Sequence, residues 1–426
     1  MPGAGQRNQD AESATGPRVV VVGGGFGGLS AVAALARSGA RVTLVDRNAY
    51  STFQPLLYQV APAGLTPSDV AYPLRAVTRK KAARFRRGGL ASIDLADRRI
   101  TLTEGGSLGY DYLILATGVA ASFFGIPGAA QHCFSLYTRR DAIALRDQLV
   151  AELERRSIPG QAGGLTVTIV GGGATGVELV GTLADLRNIA LAAAFPDVDP
   201  GSLHIRLIEQ APALIMPFTP ALRDYAYRQL RGRGVEVRLG TGIAAVSAHS
   251  VRLAGGTDLP SNITVWAAGV SAPGPVAALG LAQGHGGRVV TGPDLRVRGQ
   301  DRVFAVGDIG LIDGQPIAQL AQPAIQQGRH AAAQIRRLMA AQDTVPFRYH
   351  DKGTMATIGR RSAVVQLPYH VRFRGTLAWL AWLGLHLITL LGGRNRVSAM
   401  VNLAWRYLTW SRTGGVLAGD EPAETG

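Results

Sequence analysis

Runs of apolar residues separated by glycine-rich turns divide the first half of the chain into alternating strands and helices. Residues 18–22 (RVVVV) form a β-branched run that is typical of a buried strand. An apolar helical segment is predicted over residues 29–36 and a second strand over residues 41–45. Strands that alternate with helices indicate an α/β fold built on a parallel sheet.

The turn between the first strand and the first helix has the spacing GxGxxG, formed by Gly23, Gly25 and Gly28. Gly23 permits the tight turn, Gly25 lets the backbone approach a pyrophosphate, and Gly28 allows strand and helix to pack closely. Asp46 ends the second strand, at about the spacing at which a carboxylate accepts hydrogen bonds from ribose hydroxyls. Together these features predict a dinucleotide site.

The same arrangement returns further along the chain. A strand is predicted over residues 166–170, followed by Gly171, Gly173 and Gly176 and a helix that begins at residue 177. The next strand, residues 204–208, ends in Glu209 after an insertion near residues 188–200. A carboxylate at this place accepts the 2′-hydroxyl of NADH and repels the 2′-phosphate of NADPH, so the sequence favours NADH. Two dinucleotides are therefore expected in one chain.

Three further strands end in small-residue turns: residues 110–118 (YDYLILATG), 263–269 (ITVWAAG) and 303–308 (VFAVGD). They resemble the signatures of flavoproteins with two dinucleotide-binding domains, in which the NADH domain is inserted into the FAD domain. The resemblance implies that Asp308 binds the ribityl chain of FAD and that residues 116–118 lie near it. An aspartate at the end of a strand can also be a helix cap.

The C-terminal part carries an unusual apolar pattern. Residues 377–391 contain no formal charge. Four of the five tryptophans of the chain lie in this C-terminal part: Trp379, Trp382, Trp405 and Trp410. Indole rings favour the interface between lipid and water. A helix over residues 377–391 would be about 22 Å long, which is shorter than the roughly 30 Å hydrocarbon core, so a membrane span is not expected.

A second C-terminal segment, residues 397–410, has the pattern of a helix that lies in a membrane interface. Its apolar residues recur at helical spacing on one side: Val397, Met400, Val401, Ala404 and Leu408. The alternative is that both C-terminal helices form a buried dimer interface.

Composition limits the possible functions. With 47% hydrophobic and 17% charged residues, the 426-residue chain is expected to fold into two or three domains. Its one cysteine, Cys133, excludes a disulfide, a thiolate metal site and a redox-active cysteine pair within one chain, and no metal site is predicted. The net charge of +15 favours anionic partners. Lipid head groups are preferred over nucleic acid because the basic run over residues 79–87 matches no nucleic-acid motif.

Five segments, in this order along the chain, indicate which family of flavoproteins the sequence resembles. They are residues 53–61 (FQPLLYQVA), 171–179 (GGGATGVEL), 266–270 (WAAGV), 321–328 (AQPAIQQG) and 351–359 (DKGTMATIG). Over residues 18–412 the chain resembles the type II (alternative) NADH:quinone oxidoreductases. The resemblance implies a non-proton-pumping enzyme with non-covalent FAD, which takes a hydride from NADH and reduces membrane menaquinone or ubiquinone. It also implies a homodimer that docks on an anionic phospholipid surface as a peripheral (monotopic) protein, on the cytoplasmic side of the membrane.

The resemblance, with the motifs above, also assigns the site residues. The FAD residues are Gly23, Gly25, Phe26, Gly27, Gly28, Asp46, Arg47, Gln54, Leu90, Ala116, Thr117, Gly118, Gly307, Asp308, Leu320 and Ala321. The NADH residues are Gly171, Gly173, Ala174, Thr175, Gly176, Glu178, Glu209, Ala268 and Gly269, with Ala174 at a position where the family commonly has proline. The quinone residues are Gln322, Ala324 and Gln326.

The polar residues of these motifs also allow other interpretations. Gln322 and Gln326 are four residues apart, so they share one helix face, and Pro323 belongs in the first helical turn because it has no N–H donor. Glutamines on a helix are also common at ordinary surfaces. Glu178, near a helix N-terminus, is favoured there by the helix dipole. The resemblance makes Glu178 and Lys352 a catalytic pair. If that pair is buried, the loss of one partner would cost about 3–5 kcal/mol.

The predicted organisation has four parts. Residues 1–17 form a loose tail without a secretory signal, residues 18–125 and 288–345 form the FAD domain, residues 126–287 the NADH domain, and residues 346–426 a membrane-docking and dimerisation region. Two alternative functions remain open, a soluble NADH-dependent ferredoxin or rubredoxin reductase and a non-catalytic flavoprotein that responds to NADH. Sulfide:quinone reduction is disfavoured because Cys133 has no cysteine partner in the chain.

Overall fold

The computed structural model describes residues 16–161 and 163–413, with side chains up to residue 405. Most of the predicted N-terminal tail therefore lies outside the described residues. The strands are β1 Arg18–Val22, β2 Arg41–Asp46, β3 Tyr50–Thr52, β4 Ala71–Pro73, β5 Arg84–Arg87, β6 Leu90–Asp94, β7 Arg99–Leu102, β8 Ser107–Gly109, β9 Tyr112–Leu115, β10 Ala120–Ala121, β11 Cys133–Ser135, β12 Leu165–Val170, β13 Leu203–Ile208, β14 Glu236–Arg238, β15 Ile243–Val246, β16 Ser250–Leu253, β17 Asp258–Pro260, β18 Ile263–Trp266, β19 Val270–Ser271, β20 Val289–Thr291, β21 Val303–Ala305, β22 Gly310–Ile312, β23 Thr354–Thr357, β24 Ala363–Gln366 and β25 Arg372–Arg374.

The α-helices are α1 Phe26–Leu35, α2 Leu57–Val60, α3 Leu74–Lys80, α4 Ala129–His132, α5 Arg139–Ser157, α6 Ala174–Asp185, α7 Leu191–Ala194, α8 Pro220–Gly232, α9 Gly274–Ala277, α10 Ala321–Met339, α11 Thr376–Thr389 and α12 Gly393–Thr413. Short 3₁₀ turns cover Gln54–Leu56, Pro200–Ser202, His285–Gly287 and Gly307–Ile309. A π-helical turn, Leu186–Ala190, joins α6 to α7 within the predicted insertion.

The first compact unit comprises residues 1–51, 73–120 and 271–351, as far as these are described. Its central sheet is parallel, with the strand order β21-β9-β1-β2-β5. Residues 19–22 of β1 are all buried, because both faces of the sheet are covered. Helices α1 and α10 pack on one face, where Leu35 and Ile335 share a core with Phe304 of β21. The antiparallel strands β6, β7 and β8 contribute to the core on the other face.

The second compact unit comprises residues 52–72, 121–270 and 352–426, again as far as they are described. Its main sheet is also parallel, with the order β11-β18-β12-β13-β14. Two antiparallel meanders, β15-β16-β17 and β23-β24-β25, complete it. Helix α6 lies so close to the chain after β23 that a Cβ on Gly181 would come within 2.5 Å of the Ile358 carbonyl carbon. This close approach brings β23 beside the inner face of α6.

The predicted fold class, an α/β protein with two Rossmann-like dinucleotide-binding domains, is confirmed. Three strands are shorter than the motifs that predicted them, because the last residues of each motif leave the sheet. Strand β9 ends at Leu115, β18 at Trp266 and β21 at Ala305. The compact units divide the chain differently from the predicted ligand-binding domains, since residues 52–72 and 352–413 pack with the second sheet. The domain boundaries given above stay predictions.

Helix α12 turns three polar residues inward, beside the buried Ala399 and Leu403, and exposes apolar residues on its opposite face. Asn395 donates to the carbonyl of Ala71 (2.7 Å), and Ser398 and Asn402 donate to the two carboxylate oxygens of Asp69 (2.6 and 2.8 Å). Asp69 is only 3% exposed. The opposite face exposes Val397, Met400, Val401, Ala404 and Trp405. The side chains of Leu408 and Trp410 lie outside the described residues.

The tryptophans of the C-terminal region do not share one environment. Trp405 is 63% exposed, whereas Trp379 and Trp382 on α11 are 9% and 2% exposed. The prediction that they all face a lipid interface was wrong for these two, because they lie one turn apart on the side of α11 that packs against the protein. The outer side of α11 exposes Leu377, Leu380, Leu385 and Ile388. Within residues 16–413, no helix combines the length and the hydropathy needed to cross a bilayer.

Candidate functional site

A carboxylate at the end of β2 organises the first glycine-rich turn. Asp46 accepts a hydrogen bond from the N–H of Gly24 (2.6 Å) with one oxygen and from the N–H of Asn48 (2.7 Å) with the other. Burial raises the pKa of Asp46, and the two backbone hydrogen bonds oppose that rise. The carboxylate therefore fixes the turn and stays next to the start of α1.

The second sheet repeats this arrangement with a glutamate. Glu209, directly after β13, accepts hydrogen bonds from the N–H groups of Gly172 and Ala211 (2.6 Å for the latter). Gly172 is the middle glycine of its turn, as Gly24 is in the first unit. The predicted acidic residues thus occupy equivalent positions in the two sheets.

Each turn has two positions that only glycine fits. Gly23 and Gly171 have φ of 112° and 111°, which side chains of L-residues rarely adopt. A Cβ on Gly28 would lie 1.8 Å from the carbonyl oxygen of Gly23, and one on Gly176 would lie 1.9 Å from that of Gly171. The backbones of the strand and the following helix are therefore in contact, and no side chain fits between them.

The remaining glycine of each turn faces open space. A Cβ built on Gly25 or Gly173 meets no atom within 4 Å. No side chain caps α1 or α6, so the first N–H groups of each helix have no side-chain partner at the N-cap. Unsatisfied N–H groups and the positive end of the helix dipole favour a phosphate at such a place. Both turns fit the pyrophosphate of a dinucleotide.

Other predicted FAD residues lie along the same edge of the first sheet, because parallel strands end together there. Ala116, Thr117 and Gly118 follow β9 directly, and Gly307 and Asp308 follow β21. The hydroxyl of Thr117 is buried and has no hydrogen-bond partner among the described residues. A buried hydroxyl of this kind fits a polar group of a bound ligand.

Several predicted FAD residues are placed differently. Phe26 and Gly27 lie in the first turn of α1, Leu90 begins β6, and Arg47 is exposed just after β2. Leu320 is the exposed N-cap residue of α10, and Ala321 begins that helix. Gln54 belongs to the second unit, where its amide donates to the carbonyl of Tyr137 (3.4 Å).

The start of α10 packs against the glycines of the predicted FAD site. A Cβ on Gly27 would lie 3.4 Å from the carbonyl oxygen of Ala324, and one on Gly307 would lie 3.2 Å from the Cβ of Ala324. Pro323 lies in the first turn of the helix, as its missing N–H predicted. The structure therefore brings the predicted quinone segment and this part of the FAD site together.

The two predicted quinone glutamines differ in their contacts. Gln326 pairs with the backbone of His350 at both ends of its amide, donating to the carbonyl (2.9 Å) and accepting from the N–H (3.0 Å). One amide N–H of Gln326 is left for a ligand. Gln322 is half-buried and makes no hydrogen bond with the described residues. Gln322 is thus the glutamine whose whole amide is available.

The predicted NADH residues also line one sheet edge. Ala174 and Thr175 are exposed in the first turn of α6, and Ala268 and Gly269 follow β18. The ring of Phe124 covers Gly269, since a Cβ there would lie 2.3 Å from the ring. Phe124 is 64% exposed and has a positive φ of 51°. No sequence pattern predicted this contact, which arises only because the two segments meet in the fold.

Glu178 is buried on α6, with 8% of its surface exposed. Its Oε1 accepts a hydrogen bond from the N–H of Thr357 (3.3 Å). Burial raises the pKa of Glu178 to about 8, and the hydrogen bond from Thr357 opposes that rise. Glu178 therefore holds a proton at neutral pH.

The predicted pair of Glu178 and Lys352 forms no ion pair among the described side chains. Lys352 is exposed in the segment before β23, and none of the ion pairs found among the described side chains joins it to Glu178. Neutralising a buried carboxylate with a proton avoids the desolvation of a lysine ammonium group. The structure places Thr357 beside Glu178, and the sequence reasoning missed this contact.

The single thiol has no features of a redox group. Cys133 begins β11, and burial raises its pKa to about 12, so it stays a neutral thiol at physiological pH. This agrees with the exclusion of thiol chemistry from the cysteine count.

We predict that Glu178 makes stability depend on pH. Its pKa is about 8 in the folded chain and near the ordinary value of 4.5 in the unfolded chain, so the unfolded chain loses this proton first as pH rises. The stabilising contribution is complete below about pH 4.5 and falls until about pH 8, by on the order of 5 kcal/mol at most. Thermal unfolding of the wild type and of Glu178→Gln across this range should show the wild type losing stability relative to the variant.

Glu236→Gln is the matched control for this prediction. Arg238 and Arg206 hydrogen-bond to Glu236 and lower its pKa, so its contribution should stay constant between about pH 5 and pH 8. A wild-type curve that runs parallel to that of Glu178→Gln would contradict a raised pKa at Glu178.

Comparisons with known proteins cover nearly the whole chain. Residues 17–328 match the family model of pyridine nucleotide-disulphide oxidoreductases, and residues 351–412 match the model of the NDH2 C-terminal domain. The chain is 37% identical to the type II NADH:quinone oxidoreductase NdhA of Mycobacterium tuberculosis, over 94% of this chain and 89% of that protein. It is 35% identical to the type II enzyme Ndh of the same organism, over 98% of this chain and 94% of Ndh.

A solved structure has the same fold. NDH2 of Plasmodium falciparum in complex with NADH superposes with a TM-score of 0.87 at 20% identity, over 94% of this chain and 99% of that one. The family predicted from the sequence motifs is confirmed by the sequence matches. The chain belongs to the type II NADH:quinone oxidoreductase family.

Proposed function

We propose that this chain is a non-proton-pumping NADH:quinone oxidoreductase, an enzyme that uses FAD to pass electrons from NADH to a membrane quinone. The observation that carries the proposal is the pair of matching turns, each with an uncapped helix N-terminus and a strand-terminal carboxylate, in a chain of this family. Two such turns suit two dinucleotides, which is what a flavoenzyme oxidising NADH requires.

The first unit provides the groups for FAD. The N–H groups at the start of α1 bind the pyrophosphate next to Gly25, Asp46 accepts the ribose hydroxyls, and Asp308 binds the ribityl chain. The buried hydroxyl of Thr117 takes a further polar group of the cofactor. When bound, FAD supplies the two-electron chemistry, and the protein orients the substrates around it.

The second unit provides the groups for NADH. The start of α6, next to Gly173, binds the pyrophosphate, and Glu209 binds the adenosine ribose. Because Glu209 carries a negative charge, it accepts a hydrogen bond from the 2′-hydroxyl of NADH and repels the 2′-phosphate of NADPH. Ala268 and Gly269 lie at the same sheet edge, and we assign them to the same nucleotide.

For the quinone we propose Gln322 as the main hydrogen-bond donor to a carbonyl oxygen, with Gln326 contributing its one remaining amide N–H. The small side chain of Ala324 leaves room for a flat ring. Glu178 is the group that stores a proton at neutral pH, which suits a reaction in which the reduced quinone takes up two protons. Lys352 stays a predicted catalytic residue that acts without a buried ion pair.

The outer faces of α11 and α12 support docking on a membrane. Exposed apolar side chains on these helices are flanked by Arg372, Arg374, Arg394 and Arg396. Such a surface suits an anionic phospholipid interface, since apolar groups enter the acyl boundary and arginines bind the phosphates. We therefore propose a peripheral location on the cytoplasmic side of the membrane, in a homodimer that presents the C-terminal helices of both copies.

Steady-state kinetics of the FAD-loaded protein with a short-chain quinone test the function. We expect rapid NADH oxidation that depends on the quinone, slow oxidation of NADPH, and no turnover with ferredoxin. Glu209→Gln should lower the NADH/NADPH ratio of kcat/KM by about tenfold, which corresponds to roughly 1.4 kcal/mol. Glu236→Gln makes the same charge change on the neighbouring strand β14 and should leave the ratio unchanged.

Activity with ferredoxin alone would overturn the proposed acceptor. An unchanged cofactor ratio in Glu209→Gln would instead place the discriminating group elsewhere.

The open glycines allow the two nucleotide sites to be tested separately. Gly25→Ala and Gly173→Ala meet no steric conflict within the protein, so both variants should fold. A methyl group there should push a phosphate away from the helix N-terminus. We expect Gly25→Ala to lose FAD on gel filtration, and Gly173→Ala to keep its FAD while the KM for NADH rises about tenfold. Each variant is the control for the other, and loss of FAD in both would contradict the assignment.

Flotation with anionic phospholipid vesicles tests the docking face. Val397→Asp combined with Val401→Asp places two charges on the exposed side of α12 and leaves its inward hydrogen bonds intact. Since a buried valine contributes about 1.5 kcal/mol or more, we expect vesicle binding to fall by roughly a hundredfold. Ile158→Asp, at an exposed position after α5, is the control. A double variant that floats like the wild type would exclude α12 as the lipid contact.

A further inference from the structure

Gln327 is a buried glutamine in the second turn of α10, directly after the predicted quinone residue Gln326. It is 3% exposed, and its Oε1 accepts a hydrogen bond from the N–H of Gly307 (2.6 Å). A backbone N–H can only donate, so the oxygen of the amide faces Gly307 and the NH₂ group points the other way. This contact settles the orientation of the whole amide group.

The hydrogen bond to Gln327 fixes one end of the turn that follows β21. Gly307 has a positive φ of 72°, and Asp308, the residue predicted to bind the ribityl chain, comes next. Arg288 holds the other end of the turn, because its Nε donates to the carbonyl of Asp308 (2.8 Å) and its guanidinium also donates to the carbonyl of Gly310. The amide of Gln319 donates to the same Asp308 carbonyl (3.3 Å). The protein itself therefore fixes the backbone around Asp308.

The NH₂ group of Gln327 is available to a ligand. Its Nε2 makes no hydrogen bond with the described residues, and it is not one of their fully enclosed unpaired atoms, which belong to Tyr110, Thr117 and Thr168. Nε2 therefore borders open space. A buried amide hydrogen without an acceptor costs free energy, and protein donors of this kind are normally satisfied. We therefore expect an acceptor from a bound molecule at this place.

The packing of α10 on α1 places this amide beside the first glycine-rich turn. The two helices cross at backbone distance, since a Cβ on Gly328 would lie 2.1 Å from the carbonyl oxygen of Gly27. A Cβ on Gly27 would in turn lie 3.8 Å from the backbone nitrogen of Gly307, the donor that Gln327 binds. Gly27 belongs to the first turn of α1, whose N–H groups fit a pyrophosphate. The amide of Gln327 and the N-terminus of α1 therefore lie in one small region of the first unit.

We propose that Gln327 is an FAD-binding residue, whose Oε1 holds the Gly307 turn and whose NH₂ group donates a hydrogen bond to the pyrophosphate of FAD. A phosphate oxygen suits this donor, because hydrogen bonds to ionised groups are roughly twice as strong as those between neutral groups. The proposal rests on the FAD site proposed above for the first unit. It adds a neutral side-chain donor to the backbone N–H groups at the start of α1.

A second buried glutamine on α10 makes the same backbone contact at a different place. Gln334 lies two turns further along the helix, is 1% exposed, and accepts a hydrogen bond from the N–H of Val345 (2.7 Å). Val345 belongs to the loop after α10, whereas Gly307 directly precedes the predicted cofactor residue Asp308. The two glutamines thus share their helix, their burial and the type of their backbone contact, and they differ in their neighbours.

Gln327→Met tests the proposal because methionine is also unbranched and flexible, and the change removes both polar atoms of the amide. Release of FAD from the diluted holoprotein is followed by the rise of flavin fluorescence. We expect release to be about tenfold faster than in the wild type, as the loss of one hydrogen bond to a charged group predicts. In ³¹P NMR spectra of the FAD-loaded variant, one of the two pyrophosphate resonances should shift, because the donor to that phosphate is gone.

Gln334→Met is the matched control. It removes the same polar atoms from the same helix, so a general loosening of α10 would appear in both variants. We expect its FAD release rate and its two phosphorus resonances to equal those of the wild type. The proposal is overturned if Gln327→Met releases FAD at the wild-type rate, or if Gln334→Met accelerates release equally. Faster release from Gln327→Met with both phosphorus resonances unchanged would also overturn it, because Gln327 would then only hold the turn.

Neither measurement involves NADH or quinone, so the test of Gln327 is separate from that of the proposed function. A wild-type protein that holds FAD but reduces no quinone would end the proposed function, while the comparison of the two variants still gives its own answer. A wild-type protein that cannot be loaded with FAD would end both.

Discussion

Two backbone N–H groups, those of Gly24 and Gly172, each bind the carboxylate that ends the following strand, and the nucleotide sites depend on this contact. It closes the turn so tightly that strand and helix meet at backbone distance, which leaves the helix N-terminus uncapped and facing open space. The same carboxylate is the group that we assign to the ribose in the proposed function. One interaction therefore shapes the phosphate position and the ribose position together, and the chain uses it twice.

A different constraint governs Glu178, which is buried without a cation. Burial raises the pKa of Glu178 to about 8, since the single hydrogen bond from the N–H of Thr357 is too weak to keep the buried group ionised at neutral pH. A lysine beside it would have stabilised the carboxylate and removed the proton. The exposed position of Lys352 therefore has a chemical consequence, because it leaves a carboxylic acid in the protein interior near physiological pH.

Helix α12 partly buries several polar side chains and exposes several apolar ones. The inward face of α12 is anchored by hydrogen bonds to Asp69, a carboxylate with 3% exposure, and its apolar stripe faces outward. Water alone would not favour this orientation, since exposed Val397 and Val401 gain nothing there. An apolar environment on the outer side gives it a reason. Hydrogen bonds attach the inner side of α12 to the protein, so the apolar residues on its outer side stay exposed.

The sequence by itself determined the two glycine-rich turns, their carboxylates, the parallel sheets, the first turn of α10 and the family, because each depends on residue types at short, fixed spacing. Tertiary structure decided which distant side chains meet. The contacts of Thr357 with Glu178, of Gln326 with His350 and of Phe124 with Gly269 join segments that no periodicity relates. Residues 377–391 contain no formal charge that would mark an outer side, so only the packing of β24 against α11 decided which tryptophans are buried.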